Sequence, residues 1–397
     1  MNISPDKGLA GSDERIAPMG KELGAANNEQ FPALTGIRAI AAFMVFFNHL
    51  PLHLQPGFFM GLQLSFYTGV TLFFVLSGFL ITWHYYEKVR LSGRWFLTYF
   101  VRRFARIYPV YFLVLTVVIL VTKDFRPIFL LQNYTLTHNL FYLFRSHGMA
   151  IGPSWSLTVE ECFYLAAPFI FLLARKYNFG LPFLLTLGLL ILLLLTYGED
   201  RSFLHSQLPI FWDSFFGHFL EFYIGIYLAL LLRRKAAKPP VHDAGELPVA
   251  AGSKKWTLLG ITGLILLFLP LVWATGKSND IRYPVMVLIN NFLLPFPIAM
   301  LYYGLISENS LLRKWLSSRP MNLLGRSSYA FYLLHLPLIY YLGKPHIQKY
   351  FSGRYNLYVL VILVVTILVS IMIFLFYEQP LNRLIRRRLA RVTGPGA

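Results

Sequence analysis

The stretch LTGIRAIAAFMVFFNHLPL, residues 34–52, decides how the rest of the chain is interpreted. It is apolar apart from Arg38 near its start and Asn48 and His49 near its end. Arg38 and His49 are eleven residues apart, so in an α-helix both side chains lie on one face, about 16 Å apart along the axis. Since charged and polar groups are costly in lipid, we expect a long anionic ligand to lie along this face, in a passage through the protein.

The composition of the chain indicates a membrane protein. Of its 397 residues, 56% are hydrophobic and only 14% are charged, whereas soluble domains have about 25% charged residues. A net charge of +18 could suggest nucleic acid as a partner. The excess lies at the ends of apolar segments, however, where the positive-inside rule explains it, so we expect no nucleic-acid partner. The single cysteine, Cys162, excludes an internal disulfide and is interpreted as a buried small residue.

Ten long apolar segments predict an all-α polytopic membrane protein, a bundle of about ten transmembrane helices. An even number of spans places both termini on the same side of the membrane. The segments that would then face the cytoplasm hold 27 of the 36 Lys and Arg residues, which favours an N-in/C-in topology. The predicted spans are 34–53, 66–86, 107–122, 157–174, 181–197, 211–232, 257–275, 284–305, 327–343 and 356–376.

Three polar segments lie outside these spans. Residues 1–30 are interpreted as a flexible cytoplasmic tail without a cleavable signal peptide. A transmembrane domain over 31–380 contains a Pro- and Ala-rich cytoplasmic linker at about 236–255. Residues 381–397 form a basic cytoplasmic C-terminal tail.

The run YFVRRFARIYPVY, residues 99–111, places cations at the cytoplasmic entrance of the third span. Arg103 and Arg106 are i, i+3 neighbours on one helix face and form a forked site suited to phosphate. Arg102 points elsewhere. Ordinary positive-inside anchoring accounts equally well for any one of these arginines.

Two histidines and a pair of acids are candidates for proton transfer. A neutral imidazole at His49 is suited to act as a general base, although a hydrogen-bonded core histidine is an equal alternative. His49 and His53 form an i, i+4 pair, but no third metal ligand follows from the spacing, so no metal site is predicted. His335 is a second intramembrane histidine for which a core role and a catalytic role are both open. Glu160 and Glu161 point about 100° apart on a helix, so at most one faces the interior.

Other polar residues have simpler interpretations. Ser77, beside Gly78, permits close helix packing or approach to a ligand. Ser154 is suited to cap the helix that carries the two acids, and Trp155 suits the outer membrane interface. Asp213 and Glu221 in the sixth span receive no interpretation beyond sharing similar helix faces.

Taken in order along the chain, these pieces resemble the acyltransferase 3 family of integral-membrane O-acyltransferases. Each motif alone is weak, but the five motifs in order on or beside the predicted spans, with a sixth just after the last span, are specific, and the similarity covers about residues 31–380. The matching residues are Arg38-x10-His49; Gly69-Val70 with Phe73-Phe74-Val75-Leu76-Ser77-Gly78-Phe79; Arg103-x-x-Arg106-Ile107-Tyr108-Pro109; Ser154-Trp155-Ser156-Leu157 with Glu160 and Phe163-Tyr164; Ser328-Tyr329 through Tyr332-Leu333-x-His335-x-Pro337; and Glu378-x-Pro380.

The resemblance implies an acyltransferase in the bacterial plasma membrane with no permanently bound cofactor. Its donor would be acyl-coenzyme A, most simply acetyl-coenzyme A, on the cytoplasmic side. Its acceptor would be a hydroxyl of a cell-envelope carbohydrate or a lipid-linked sugar. The chain lacks the fused outer esterase-like domain of some members, so a second catalytic site is not expected; a homo-oligomer is left open.

The resemblance also assigns roles to residues. Arg38, Arg103 and Arg106 would hold the phosphates of the coenzyme. His49 would take the proton of the acceptor hydroxyl, and Glu160 would orient His49 or the acceptor. Further candidate site residues are Ser77, Ser154, Trp155, Tyr164 and His335.

Two alternatives remain open at this stage. Within the enzyme class, the acceptor could instead be a small hydrophobic molecule such as a macrolide. In a different class, a transporter of acyl groups or lipid-linked sugars would use the same intramembrane Arg, His and Glu residues as substrate contacts.

Overall fold

The computed structural model describes residues 30–50, 58–137, 148–196, 214–236, 253–347 and 354–393. Within these ranges the chain forms helices and turns but no strand, which confirms the predicted all-α fold. The α-helices are α1 (Pro32–His49), α2 (Phe58–Ser65), α3 (Gly69–Tyr85), α4 (Gly93–Thr122), α5 (Pro127–Tyr134), α6 (Trp155–Lys176), α7 (Gly180–Thr196), α8 (Phe219–Ala236), α9 (Lys255–Thr275), α10 (Asn279–Val287), α11 (Pro295–Ser307), α12 (Leu311–Leu316), α13 (Arg319–Pro337), α14 (Tyr355–Ile373) and α15 (Gln379–Thr393).

Among the described residues, six helical stretches are long and apolar enough to cross a membrane. Each of the ten predicted spans overlaps a helix, but α1, α8 and α13, which carry charged residues such as Arg38, Glu221 and Arg326, are outside the set of six. The structure therefore supports an integral membrane protein, while the number of ten spans and the N-in/C-in topology stay predictions. The six stretches are Phe58–Tyr85, Gly93–Thr122, Gly152–Lys176, Lys255–Thr275, Ile281–Ser307 and Asn356–Leu389.

The polar segments outside the predicted spans are only partly described. Residues 1–29 of the predicted tail and 237–252 of the predicted linker lie outside the described residues. Most of the predicted basic C-terminal tail forms the helix α15, which packs against α4.

The first helix, α1, is central to the arrangement because it packs against α3, α11, α12 and α13. Pro32 lies in its first turn, where the missing N–H costs nothing and the fixed φ suits a helix. The helix ends at His49, and Leu50 is extended with ψ 136°. A residue before proline prefers this conformation, so Pro51 accounts for the end of the helix.

Two glycines allow α3 and α8 to pack closely. A Cβ added at Gly78 would overlap the carbonyl oxygen of Phe222, and one added at Gly225 would overlap the carbonyl oxygen of Val75. The small residue beside Ser77 therefore serves helix packing, as the sequence indicates.

Two π-helical stretches lie next to residues that the sequence analysis selects. Leu338–Ile347 begins three residues after His335, and Phe374–Glu378 ends at the acid of the last motif. Such irregular turns inside helices are frequent at functional sites. One stretch follows His335 and the other ends at Glu378, so the regular helix geometry changes beside both residues.

Candidate functional site

The three arginines predicted to hold phosphate come together inside the bundle. Arg38 on α1 interacts electrostatically with Arg106 on α4, and Arg103 lies one turn before Arg106. Arg38 and Arg103 are strongly desolvated, yet each keeps a partly accessible surface. Both charges therefore lie mostly inside the protein. We call Arg38, Arg103 and Arg106 the arginine cluster.

Members of the arginine cluster differ in their partners. Arg103 donates from Nη2 to the hydroxyl of Tyr85 at 3.0 Å. Its guanidinium carbon lies 5.2 Å from the ring centre of Tyr85 and 5.7 Å from that of Tyr164, within cation–π range. Arg38 and Arg106 form no hydrogen bond with any residue that the structure describes. Two neighbouring guanidiniums with free donors are suited to an anion with several negative charges.

Glu160 lies beside this cluster. Its Oε1 accepts short hydrogen bonds from Ser77 Oγ on α3 and from the hydroxyl of Tyr164, one turn further along α6. Its carboxylate is also an electrostatic neighbour of Arg38. Ser77, Glu160 and Tyr164 are thus brought together as one group. Glu161 has Glu160 and Arg103 as electrostatic neighbours, and its buried Oε1 has no hydrogen-bond partner in the described residues.

The predicted orienting contact between Glu160 and His49 is not formed in the described part of the chain. Glu160 is hydrogen-bonded within the arginine region, whereas His49 Nδ1 has Val45 O and His335 Nε2 as its neighbours. The physical reason is position along α1, because the acid is an electrostatic neighbour of Arg38, about three helical turns from His49.

A second acid, Glu378, faces the arginine cluster from the end of its π-helical stretch. It is buried, with an exposed fraction of 8%, and its Oε2 has no hydrogen-bond partner among the described residues. Its electrostatic neighbours are Arg106 and Arg38. Two acids therefore partly balance three cations in the space where the helices meet.

His49 and His335 form a pair at the other end of α1. His335 Nε2 lies 3.3 Å from His49 Nδ1, and the two ring centres are 5.1 Å apart. His335 is fully buried, whereas His49 is partly exposed. The structure thus places the second intramembrane histidine beside the predicted base.

The expected passage from Arg38 to His49 is not open along the described residues of α1. Ala42 and Val45, which lie between them on the same face of α1, are 1% and 2% exposed. Ala42 packs in a cluster with Phe331 of α13. The prediction of an open passage was wrong for this structure because helical periodicity identifies a face but not what covers it.

An apolar cavity of about 150 Å³ borders a different face of α1. Its lining includes Ile37, Ile40 and Met44 of α1 with Phe268 of α9 and Leu301 of α11. It contains neither the arginine cluster nor the histidine pair, so it is not the predicted passage.

The serine and tryptophan at the start of α6 have packing roles in the structure. Ser154 is buried and precedes α6, but its side chain does not cap that helix, contrary to expectation. Trp155 stacks on Tyr67 with ring centres 6.0 Å apart and lies against the ring of His218 at 5.6 Å. These ring contacts place Trp155 between Tyr67 and His218.

Glu221, which the sequence left without an interpretation, belongs to a buried polar group. His218 Nδ1 lies 3.0 Å from Glu221 Oε2, and the hydroxyl of Thr71 donates to Glu221 Oε1 at 3.2 Å. Asp213 lies outside the described residues. The pair is fully buried, so its hydrogen bonds account for a polar group that would otherwise be costly there.

Two residues near the arginine cluster were missed by sequence reasoning. Tyr85 bonds Arg103 directly, and Arg386 on α15 has Arg106, Arg103 and Arg102 as electrostatic neighbours. The aromatic pattern of α3 gives no signal for Tyr85. Arg386 lies in a run of basic residues, which shows charge but not which member faces the site.

The described residues contain no group of three or more His, Cys, Asp and Glu side chains able to hold a metal ion. His53, the second member of the i, i+4 pair, lies outside them.

The chain belongs to the acyltransferase 3 family: the family described as an acyltransferase domain matches residues 31–375. This confirms the resemblance seen in the motifs. No solved structure matches the chain at a significant level.

Curated relatives are similar over most of this chain. An O-acetyltransferase OatA of Staphylococcus aureus is 27% identical over 382 residues, covering 89% of this chain and 57% of the relative. A peptidoglycan O-acetyltransferase OatA of Listeria monocytogenes is 26% identical and covers 78% and 49%. An acyltransferase MdmB of Streptomyces mycarofaciens is 26% identical over 412 residues and covers 92% and 95%. The chain thus spans about half the length of the two O-acetyltransferases.

Proposed function

We propose that this protein is a membrane O-acyltransferase that moves an acyl group, most simply acetyl, from acyl-coenzyme A to a hydroxyl of a cell-envelope carbohydrate or a lipid-linked sugar. The observation that carries the proposal is the arginine cluster, in which Arg38 and Arg106 keep free donors inside an apolar bundle. Membership of an acyltransferase family and the names of two O-acetyltransferase relatives support it.

The arginine cluster is suited to the phosphates of the donor. Bidentate guanidinium–phosphate pairs are strong, and desolvation strengthens them further. Arg103 is held in place by Tyr85 and Tyr164, so its position is set before a ligand binds. Because Arg38 lies on a different helix from Arg103 and Arg106, the cluster would bind the phosphates from two sides.

His49 would act as the general base in the transfer step. It accepts the proton of the acceptor hydroxyl as that oxygen attacks the thioester carbonyl carbon. The carbon–sulfur bond then breaks, and the coenzyme thiolate takes the proton from the His49 imidazolium and leaves as a free thiol. Such proton transfer contributes about 10²- to 10⁴-fold to a rate.

The donor must open the packed region between the two sites to reach His49. Ala42 and Val45 are covered there, and the partly exposed Phe43 and Phe73 pack at the edge of that region. Phe43 and Phe331 form an edge-to-face pair with ring centres 5.2 Å apart. We propose that the pantetheine arm displaces these rings, and that both termini and the arginine cluster face the cytoplasm of the bacterial plasma membrane.

Thiol release from acetyl-coenzyme A tests the proposal. Purified protein in detergent or nanodiscs should release free thiol slowly alone and faster with an acceptor glycan. His49→Gln should abolish release yet still bind coenzyme A, whereas Arg38→Gln should weaken that binding. Wild-type protein that binds the donor and never releases thiol would instead be the transporter, carrying intact substrate.

A second acceptor class is a small hydrophobic molecule such as a macrolide. It stays an alternative within the same reaction, because the proposed transfer step requires only a hydroxyl on the acceptor. Incubation with acetyl-coenzyme A and either peptidoglycan fragments or a macrolide, followed by mass spectrometry, separates the two acceptor classes.

A further inference from the structure

We propose that His335 is a positioning residue: it holds the imidazole of His49 so that Nε2 of His49 is the proton acceptor. This role rests on the acyltransferase reaction proposed above. His335 is fully buried, with an exposed fraction of 0%, and its ring packs beside that of Tyr332 with centres 5.7 Å apart. A ring so enclosed is not placed to touch a substrate. It acts through its contact with His49.

The position of the proton on His335 follows from its backbone partner. His335 Nδ1 lies 2.6 Å from the carbonyl oxygen of Tyr332, which can only accept a hydrogen bond. Nδ1 therefore carries the hydrogen. In the neutral ring the other nitrogen, Nε2, then presents a lone pair.

That lone pair faces His49. His49 Nδ1 lies 3.3 Å from His335 Nε2 and 2.8 Å from the carbonyl oxygen of Val45. Both neighbours are acceptors, so His49 Nδ1 carries the hydrogen and shares it between them. The neutral His49 ring is consequently unprotonated at Nε2, and this nitrogen is the one free to take a proton from an acceptor hydroxyl.

The same contact also supports the charged form of His49. When Nε2 accepts the proton, the ring becomes an imidazolium whose Nδ1–H already faces two acceptors. Hydrogen bonds to a charged donor are about twice as strong as neutral ones, and low local polarity increases the effect. When Nε2 returns the proton to the leaving thiolate, the ring is again neutral with its hydrogen on Nδ1. This is the arrangement of a base oriented by a third group.

The backbone around His335 fits such a role. The regular helix α13 ends at Pro337, and the π-helical stretch Leu338–Ile347 follows. The close packing of α1 against α13 holds the two rings at a fixed separation. A second acceptor for His49 is therefore built into the helix pair and does not depend on a ligand.

Nitrogen-15 NMR of histidine-labelled full-length protein in nanodiscs tests the proposal directly, because protonated and unprotonated ring nitrogens have separate shifts. His49 is assigned by its loss in His49→Gln. In the wild type we expect a single neutral form with hydrogen on Nδ1. In His335→Ala we expect the form with hydrogen on Nε2 to appear. In His335→Gln, whose amide oxygen can accept in place of Nε2, the wild-type form should return.

Kinetics give a second readout. His335→Ala should lower kcat for thiol release by about tenfold or more, leave KM for acetyl-coenzyme A unchanged, and be restored at least in part by His335→Gln. His84→Gln is the matched control, because His84 Nδ1 also contacts a carbonyl oxygen four residues back, Leu80 O at 2.7 Å, without a contact to His49. It should keep the wild-type His49 signal.

Three results would overturn the proposal: an unchanged His49 signal in His335→Ala, an unchanged kcat in that variant, or a Gln variant as impaired as Ala while folded. Thermal unfolding and coenzyme A binding report folding, and the Gln variant serves if the Ala variant does not fold. Failure of the proposed function looks different, because a wild type without thiol release would leave the NMR result intact.

Discussion

Gly325 in α13 lies so close to the carbonyl oxygen of Thr35 in α1 that a Cβ added to the glycine would overlap that oxygen. The same two helices meet again at His49 and His335, which lie closer to the C-terminal end of each helix. The close approach at Gly325 therefore fixes the spacing and register that bring the two imidazoles together.

Gly325→Ala should force α1 and α13 apart. Overpacking of this kind costs about 1–3 kcal/mol, and here it also moves the histidine pair. We expect a lower thermal midpoint and slower thiol release from acetyl-coenzyme A, measured on the purified protein by thermal unfolding and a thiol-reactive dye.

Gly188→Ala in α7 is the matched control because a Cβ there meets nothing within 4 Å. Alanine is better than glycine inside a helix by about 1 kcal/mol, so this variant should be as stable as the wild type or slightly more so. Equal destabilisation by both substitutions would contradict the role given to Gly325.

Glu160→Gln should destabilise the protein because the repulsion between the guanidiniums of the arginine cluster is then less well balanced. The amide can still accept from Ser77 and Tyr164, but the negative charge beside Arg38 is gone. Without ligand we expect a loss of stability of about 1–3 kcal/mol, the usual cost of a buried group left without its partner. Coenzyme A should raise the thermal midpoint more than in the wild type because its phosphates then supply the missing charge.

The adjacent Glu161→Gln provides the comparison. Glu161 Oε1 is buried without a hydrogen-bond partner among the described residues, and its electrostatic neighbours are the like-charged Glu160 and the cation Arg103. Removing its charge should therefore change stability less than Glu160→Gln does. If Glu161→Gln matches Glu160→Gln in both stability and response to coenzyme A, the two acids are equivalent and Glu160 has no special place in the cluster.

Local sequence patterns predicted the helices and part of the site. Apolar runs located a helix at each of the ten predicted spans, and the i, i+3 spacing of Arg103 and Arg106 placed them beside each other. The pattern could not show that Arg38, on another helix, has Arg106 as an electrostatic neighbour. Only the resemblance to the acyltransferase 3 family grouped Arg38 with Arg103 and Arg106.

Contacts between distant segments were beyond the sequence. His49 and His335 are 286 positions apart, and Ser77 and Glu160 are 83 apart, so no periodicity relates them. The buried Ala42 shows the same limit in reverse. Helical spacing puts Ala42 on the same face of α1 as Arg38 and His49, but the ring of Phe331 that packs with it comes from another part of the chain.

Glu308→Gln should reduce stability in a pH-dependent way. Glu308 caps the start of α9, accepting from the backbone N–H groups of Trp256 at 2.8 Å and Thr257 at 2.9 Å and from the Thr257 hydroxyl at 2.7 Å. Burial acts to raise the pKa of Glu308, but these hydrogen bonds outweigh it and hold that pKa below its usual 4.5. At neutral pH we expect the variant to lose about 0.5–2 kcal/mol, as for other helix caps.

The sign of the pH effect follows from the lowered pKa of Glu308. Its stabilisation is present above the pKa of the unfolded chain and is lost as the pH falls through the lower pKa of the folded state. The gap in thermal midpoint between wild type and Glu308→Gln should therefore narrow below about pH 4.5. A gap that stays constant from pH 7 to pH 4 would show that the charge of the cap does not matter.

Arg386→Gln should weaken donor binding although Arg386 lies outside every motif. Arg386 on α15 has Arg102, Arg103 and Arg106 as electrostatic neighbours, and gathering like charges is costly unless an anion joins them. We expect a several-fold weaker Kd for coenzyme A, by isothermal titration, with a smaller dependence on salt because one cation fewer is screened. Arg388→Gln is the control, since two positions along a helix turns its side chain about 200° away. Nanodiscs without anionic lipid distinguish the two sources of phosphate. If Arg386 binds only lipid headgroups, wild type and Arg386→Gln should bind coenzyme A equally well in such nanodiscs.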